Sequence, residues 1–185
     1  AGLTANRDVL FAVDAGFFTE DMRPSGTLIS RGVSLGSADA RGGSGVLVIR
    51  RGRAELLESA APPSTEPSID LAVQCGPRLV ERDGTVGIHR DDGRRFARTG
   101  ACLRDDGRTL DVVIAYWRDD PMRGPGLLGF SQRLAAPSAV GDPRGCESAL
   151  NLDGGPSTGV YVRGAPAASH DAIGPVPYAL AVRAR

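Results

Sequence analysis

The apolar residues of this chain come in short runs, and each run is cut off by Gly, Pro or an Asp-Gly pair. With 25 Gly and 13 Pro among 185 residues, few segments are long enough for a helix, and the chain is confined to short strands joined by turns. Val9 to Val13, Thr27 to Ile29, Val46 to Ile49, Ala54 to Leu57, Ile69 to Gln74, Thr99 to Leu103, Leu110 to Tyr116 and Tyr178 to Val182 read as strands. Residues 46–57 read as a hairpin, as do residues 79–88 around Asp83-Gly84 and residues 99–116 around Asp106-Gly107. Residues 34–45, rich in Gly, Ser and Ala, and residues 58–68, with Pro62, Pro63 and Pro67, read as loops. Helical spacing occurs once, at Leu127, Phe130 and Leu134, and predicts a helix over 126–135. The expectation is one α+β domain over residues 1–185, dominated by mixed or antiparallel β-sheet with one or two packed helices.

Composition narrows the function classes. The hydrophobic fraction is 41%, the charged fraction 24% and the formal net charge zero, as in an ordinary globular domain. No global basic field points to nucleic acid, and no polybasic block points to a membrane surface. No apolar run has the length of a membrane span. Cys75, Cys102 and Cys146 lack metal-ligand spacing, and either one disulfide with a free thiol or three buried thiols fits them. Neither a phosphate-binding P-loop nor a dinucleotide fingerprint is present, so no cofactor and no metal are expected.

The most informative stretch is Ser148-Ala149-Leu150-Asn151-Leu152-Asp153-Gly154-Gly155-Pro156-Ser157-Thr158. An apolar strand there delivers Asn151 and Asp153 to a Gly-Gly turn that carries two hydroxyls. The glycines permit close backbone approach, and successive amides at such a turn can converge on an anion. In isolation an Asp-Gly-Gly is more often a turn capped by its own Asp.

Further segments, in order, accompany that stretch. Asp14-Ala15-Gly16-Phe17-Phe18 ends the first strand, Gln74-Cys75-Gly76-Pro77-Arg78 breaks another, and Ala97-Arg98-Thr99 opens a third. Pro175-Val176-Pro177-Tyr178-Ala179-Leu180 leads into the last. In this order, and with the 149–158 signature, the chain resembles the phosphodiester glycosidase family over nearly its whole length. It departs from the family pattern twice: Asp14 stands where the family usually has Asn, and Pro156 stands where it has a third Gly. The chain also reads as short at its N-terminus, with an upstream family segment expected to be missing.

The resemblance implies hydrolysis of the glycosidic bond of a sugar 1-phosphodiester, such as an N-acetylglucosamine 1-phosphodiester, on a glycan, exopolysaccharide or glycolipid. It also implies an extracytoplasmic setting (periplasmic, secreted or cell-surface). Such a substrate has a good leaving group and a permanent negative charge, so the site needs phosphate contacts and a carboxylate near the anomeric carbon. The expected catalytic residues are Asp153 as nucleophile or base, Asp14 as partner carboxylate and Arg98 as phosphate clamp. Expected substrate-binding residues are Thr99, Asn151, Gly154, Gly155, Ser157, Thr158, Gly16 and Phe17. Glu147 is a weaker acid candidate, and His89 and His170 read as loop histidines. The alternative is a non-catalytic glycan- or phosphate-binding module, or a related hydrolase with another substrate, on the same fold. Partners are a sugar-phosphate diester or glycan, with no nucleic acid and no integral membrane segment.

Overall fold

A computed structural model describes residues 8–64, 66–137 and 144–184. Twelve strands are described: β1 (Val9–Asp14), β2 (Leu28–Ser30), β3 (Val33–Gly36), β4 (Gly45–Arg50), β5 (Arg53–Glu58), β6 (Ile69–Cys75), β7 (Arg78–Val80), β8 (Arg98–Arg104), β9 (Thr109–Ala115), β10 (Ser148–Asn151), β11 (Val160–Val162) and β12 (Ala179–Arg183). The α-helix α1 spans Leu127–Ala135. Three sheets result, with strand orders β11-β1-β12, β7-β10-β8-β9 and β3-β2-β6-β4-β5. Every described pairing is antiparallel. The molecule is therefore α+β, with antiparallel sheet dominant.

Turn chemistry fixes the register. Arg31-Gly32 and Arg51-Gly52 are two-residue connections with positive φ at both positions (50° and 75°, 50° and 73°). That is the backbone whose twist matches a hairpin, so β2–β3 and β4–β5 pair directly across them. Residues 34–45 were expected to be loop, and Val33–Gly36 instead extends the sheet as β3. Val33 and Leu35 are both exposed there, so no buried alternation marks the strand. β11 was likewise not expected. The expected 79–88 hairpin shrinks to β7 and one isolated bridge, Val80↔Val86.

The main core lies where the three sheets meet, with Val13 from β1, Leu47 and Val73 from β4 and β6, Leu103 and Leu150 from β8 and β10, and Leu180 from β12. A second cluster seats α1 on the four-stranded sheet through Phe130 and Leu134 against Leu79, Cys102 and Ala149. The Ser131 hydroxyl donates to the Leu79 carbonyl and fixes the helix on β7. Cys102 and Cys146 form a disulfide with Cα atoms 5.4 Å apart, and Cys75 is a buried free thiol. Of the two cysteine readings, the disulfide with a free thiol is the one observed. No helix among the described residues is long and apolar enough to cross a membrane.

Candidate active site

β10 runs between β7 and β8 and carries the signature to the sheet's end. Asn151, buried, donates from Nδ2 to the carbonyls of Gly76 (3.0 Å) and Leu152 (2.7 Å). Its backbone N–H donates to the Pro77 carbonyl at 3.0 Å, so the Gly76-Pro77 break and the signature strand are stitched together. Beyond Asn151 the chain crosses to the neighbouring sheet: Leu152 N–H bonds the Thr99 carbonyl on β8, and Asp153 N–H bonds the Ala15 carbonyl after β1, both at 2.9 Å. Leu152 is thus tied to β8 of its own sheet and Asp153 to the residue that follows β1 of the three-stranded sheet.

At Asp153 the surface is an open cleft of about 510 Å³, lined by Asp153, Asn151, Gly154, Gly155, Arg98 and Phe17 among others. Six of the expected site residues therefore share one cleft. Phe96, which the sequence did not single out, forms another wall and is 45% exposed. Arg98 lies 8% exposed, with Nε donating to the Pro125 carbonyl at 3.2 Å and its guanidinium 5.8 Å from the Phe96 ring centroid. Among the described residues no carboxylate forms an ion pair with Arg98. Burial pulls its pKa down from the usual value, but a guanidinium stays charged. It is a fixed cation with donors to spare at the cleft wall.

The Asp153 carboxyl accepts from the Gly154 N–H at 2.9 Å. Burial pushes its pKa above the usual carboxylate range, and the Ser157 hydroxyl and the Gly154 amide pull it back. That hydroxyl has one proton and donates to the Pro175 carbonyl at 3.1 Å, so the carboxyl and the carbonyl compete for it. The amides of the Gly-Gly turn are not open to an anion as expected: Gly154 N–H goes to Asp153 itself and Gly155 N–H to the Ala97 carbonyl at 2.7 Å. Gly155 is at φ 58°, and a Cβ on Gly154 would sit 2.9 Å from the Ala97 oxygen, so both glycines serve the tight approach of the turn to β8.

Asp14 lies behind this surface, 1% exposed at the end of β1. Its Oδ1 accepts from the Thr99 hydroxyl at 2.8 Å and the Gly159 N–H at 3.1 Å, while Oδ2 has no partner among the described residues. Burial, with a smaller contribution from the nearby Asp153 charge, raises its pKa to about 8 against the pull of those two donors. At neutral pH it is a protonated acid. Thr158 is also buried, and its hydroxyl has no partner among the described residues. Gly16 packs under β6, where a Cβ would meet Val73 Cγ2 at 2.8 Å and the Gln74 carbonyl at 2.9 Å. Thr99, Thr158, Gly16 and Asp14 thus form the layer beneath the cleft. Ser157 borders an adjoining cleft that also reaches Asp153 and Phe17.

The remaining candidates lie elsewhere. Glu147 is at the opposite end of β10, where its carboxylate accepts from the Asp105 and Asp106 amides and caps the β8–β9 turn. His170 bridges Val160 and stacks on Tyr116 with centroids 4.0 Å apart. The Cys75 thiol is pushed up by burial and is no nucleophile. No cluster of three metal-ligating side chains occurs among the described residues. Gln74, which the sequence did not single out, supports the site: its Nε2 donates to the Asp39 (2.6 Å) and Gly43 (2.9 Å) carbonyls, pinning the loop that carries Gly43 and Ser44 along the cleft.

A solved structure shares this fold. The catalytic domain of zebrafish N-acetylglucosamine-1-phosphodiester alpha-N-acetylglucosaminidase, auto-inhibited by its pro-peptide, superposes with a TM-score of 0.61 at 18% identity, covering 83% of this chain and 53% of that one. A hypothetical protein from Synechocystis gives a TM-score of 0.49 at 14% identity, covering 83% of this chain and 47% of that one. This chain therefore spans about half the length of either. No curated protein sequence matches it. The phosphodiester glycosidase family model matches residues 7–183, from before β1 to the end of β12, and the chain belongs to that family.

Proposed function

We propose that this chain hydrolyses the glycosidic bond of a sugar 1-phosphodiester in the cleft built on Asp153 and Arg98. One observation carries the reading: a fixed guanidinium that forms no ion pair among the described residues and a backbone-anchored carboxyl line the same open cleft. Arg98 binds the phosphate and stabilises the charge that gathers on it as C1–O breaks. The departing phosphate leaves as an anion, so no strong general acid is needed. Asp153 acts at the anomeric carbon, as nucleophile or as base on water. Asp14, neutral below it, adds no second negative charge against the incoming phosphate. Membership in the family supports a glycosidase. The substrate class, N-acetylglucosamine on a glycan, exopolysaccharide or glycolipid, is the part this proposal adds. The Cys102–Cys146 disulfide supports an oxidising, extracytoplasmic setting.

The test is release of free sugar from UDP-N-acetylglucosamine and from a panel of sugar 1-phosphodiesters, with Asp153→Asn as control. Activity that falls about a thousandfold or more in the variant supports the reading. A second reading is a glycan- or phosphate-binding module. It is favoured by the occupied amides of the Gly154-Gly155 turn and by Pro156, which has no N–H to offer an anion. Saturable binding without turnover, unaffected by Asp153→Asn, would select it.

A further inference from the structure

Asp153, Gly154, Phe17 and Pro156 line two clefts at once, one of about 510 Å³ and one of about 500 Å³. Each is within the size range of small-molecule sites, about 300–1,000 Å³. Their electrostatics differ. The first holds Arg98, which forms no ion pair among the described residues, beside Arg94 and the Asp92 carboxylate that Arg94 faces at 4.0 Å. The second holds Arg41, whose guanidinium is already engaged by both oxygens of Asp39, at 3.1 and 2.9 Å. Arg98 is therefore the cation left unpaired for an anion, in the first cleft, whereas Arg41 in the second is already paired. The second offers the Phe18 ring, the Pro175 ring and the Ser25 hydroxyl, a mix of apolar faces and a hydrogen-bonding group that suits a pyranose.

We infer that the second cleft, walled by Phe18 and Pro175, is the subsite for the sugar ring, and that the substrate straddles Asp153 with its phosphate in the Arg98 cleft. The inference rests on the phosphodiester reading above. Phosphate at Arg98 and an anomeric carbon at Asp153 leave the ring to extend past Asp153, and the second cleft is the space that lies there. The first cleft keeps room, beside Phe96 and Leu127, for whatever the phosphate is esterified to.

The experiment titrates the intact chain with two fragments, inorganic phosphate and methyl N-acetyl-α-glucosaminide, by ligand-observed NMR. Both should bind together, with the affinity for sugar changing less than about threefold at saturating phosphate. Phe18→Ala should weaken the sugar about tenfold and leave phosphate unchanged, whereas Arg98→Lys should do the reverse. Because Phe18 is partly buried, Pro175→Trp serves as a second variant on an exposed position: it fills the cleft and should abolish sugar binding alone. Competition between the fragments, absence of saturable sugar binding, or indifference of the sugar to both variants would overturn the inference. Independent binding of both fragments with no turnover would sink the hydrolase reading while leaving the two subsites in place. Competition with turnover intact would do the opposite.

Discussion

The Thr99 hydroxyl donates to Oδ1 of Asp14 across 2.8 Å, joining β8 of the four-stranded sheet to β1 of the three-stranded one. With the Gly159 amide on the same oxygen at 3.1 Å, Oδ1 is a pure acceptor, and the proton of the neutral acid sits on Oδ2. One oxygen accepts and the other carries a hydrogen to donate. That is the hydrogen-bonding pattern of an Asn side chain. An Asn, which the family resemblance leads one to expect here, and this chain's Asp14 are therefore equivalent so long as the carboxyl keeps its proton.

The equivalence gives stability a pH dependence of definite sign. Unfolded Asp14 ionises near 3.8, and folded Asp14 near about 8. Between those values the native state binds one more proton than the unfolded state, so stability falls as pH rises. The contribution is complete below about pH 4 and gone above about pH 8. Asp153, facing Asp14 and also raised by burial, acts with the same sign. Urea denaturation at pH 5, 6.5 and 8 should show this decline, and Asp14→Asn should flatten it. A variant that keeps the full slope would place the proton elsewhere.

Removing the donor tests the same contact from the other side. Thr99 is wholly buried, and Thr99→Val keeps its shape while deleting the hydroxyl. The expected loss is about 1–2 kcal/mol at pH 6, read as a shift of the urea midpoint at constant m-value. Since the hydroxyl also lowers the Asp14 pKa, the variant should hold its proton to higher pH than the wild type.

How far the sequence reaches is clear from particular elements. β4, β6 and β10 announce themselves because each is a short apolar run buried on both faces, as with Val46, Leu47 and Val48. β3 escapes that logic, since its large side chains are exposed, yet Arg31-Gly32 repeats the Arg51-Gly52 turn and was the available signal. The grouping into three sheets depends on pairings such as β1 with β11 and β10 with β7, which join segments far apart in sequence and leave no local trace. At the site, the motifs brought Asp153, Asn151 and Arg98 to one cleft. Which atoms were already engaged could not be read there: the Gly154 and Gly155 amides point at Asp153 and Ala97 because of how the turn lies on β8. Phe96 is a lone aromatic among arginines and Phe18 stands next to Phe17, and only their place beside the clefts distinguishes them.

The disulfide ties β8 to the segment entering β10, closing a loop of 44 residues. Loop-closure entropy puts its contribution at about 4 kcal/mol, reduced by whatever order the open chain retains. The double variant Cys102→Ala, Cys146→Ala should lose about 2–4 kcal/mol and respond no further to reductant. Equal stability of the two proteins would mean that the second core, in which both cysteines are buried, holds the strands without it.

Arg98 provides the sharpest test of what the cleft was built to hold. Its Nε is spent on the Pro125 carbonyl, and one terminal nitrogen reaches the Arg94 carbonyl at 3.4 Å, so the guanidinium plane is fixed before any ligand arrives. Arg98→Lys keeps the charge but loses that anchoring and the paired donors a phosphate would take. A phosphodiester substrate should then lose about tenfold or more in kcat/KM, most of it in kcat if the contact tightens as charge moves onto the phosphate. A neutral glycoside of the same sugar, turned over slowly by Asp153 alone, makes no such contact and should change little. Equal losses on both substrates would show that Arg98 supports the cleft wall through Pro125 and Phe96 and does not hold the phosphate.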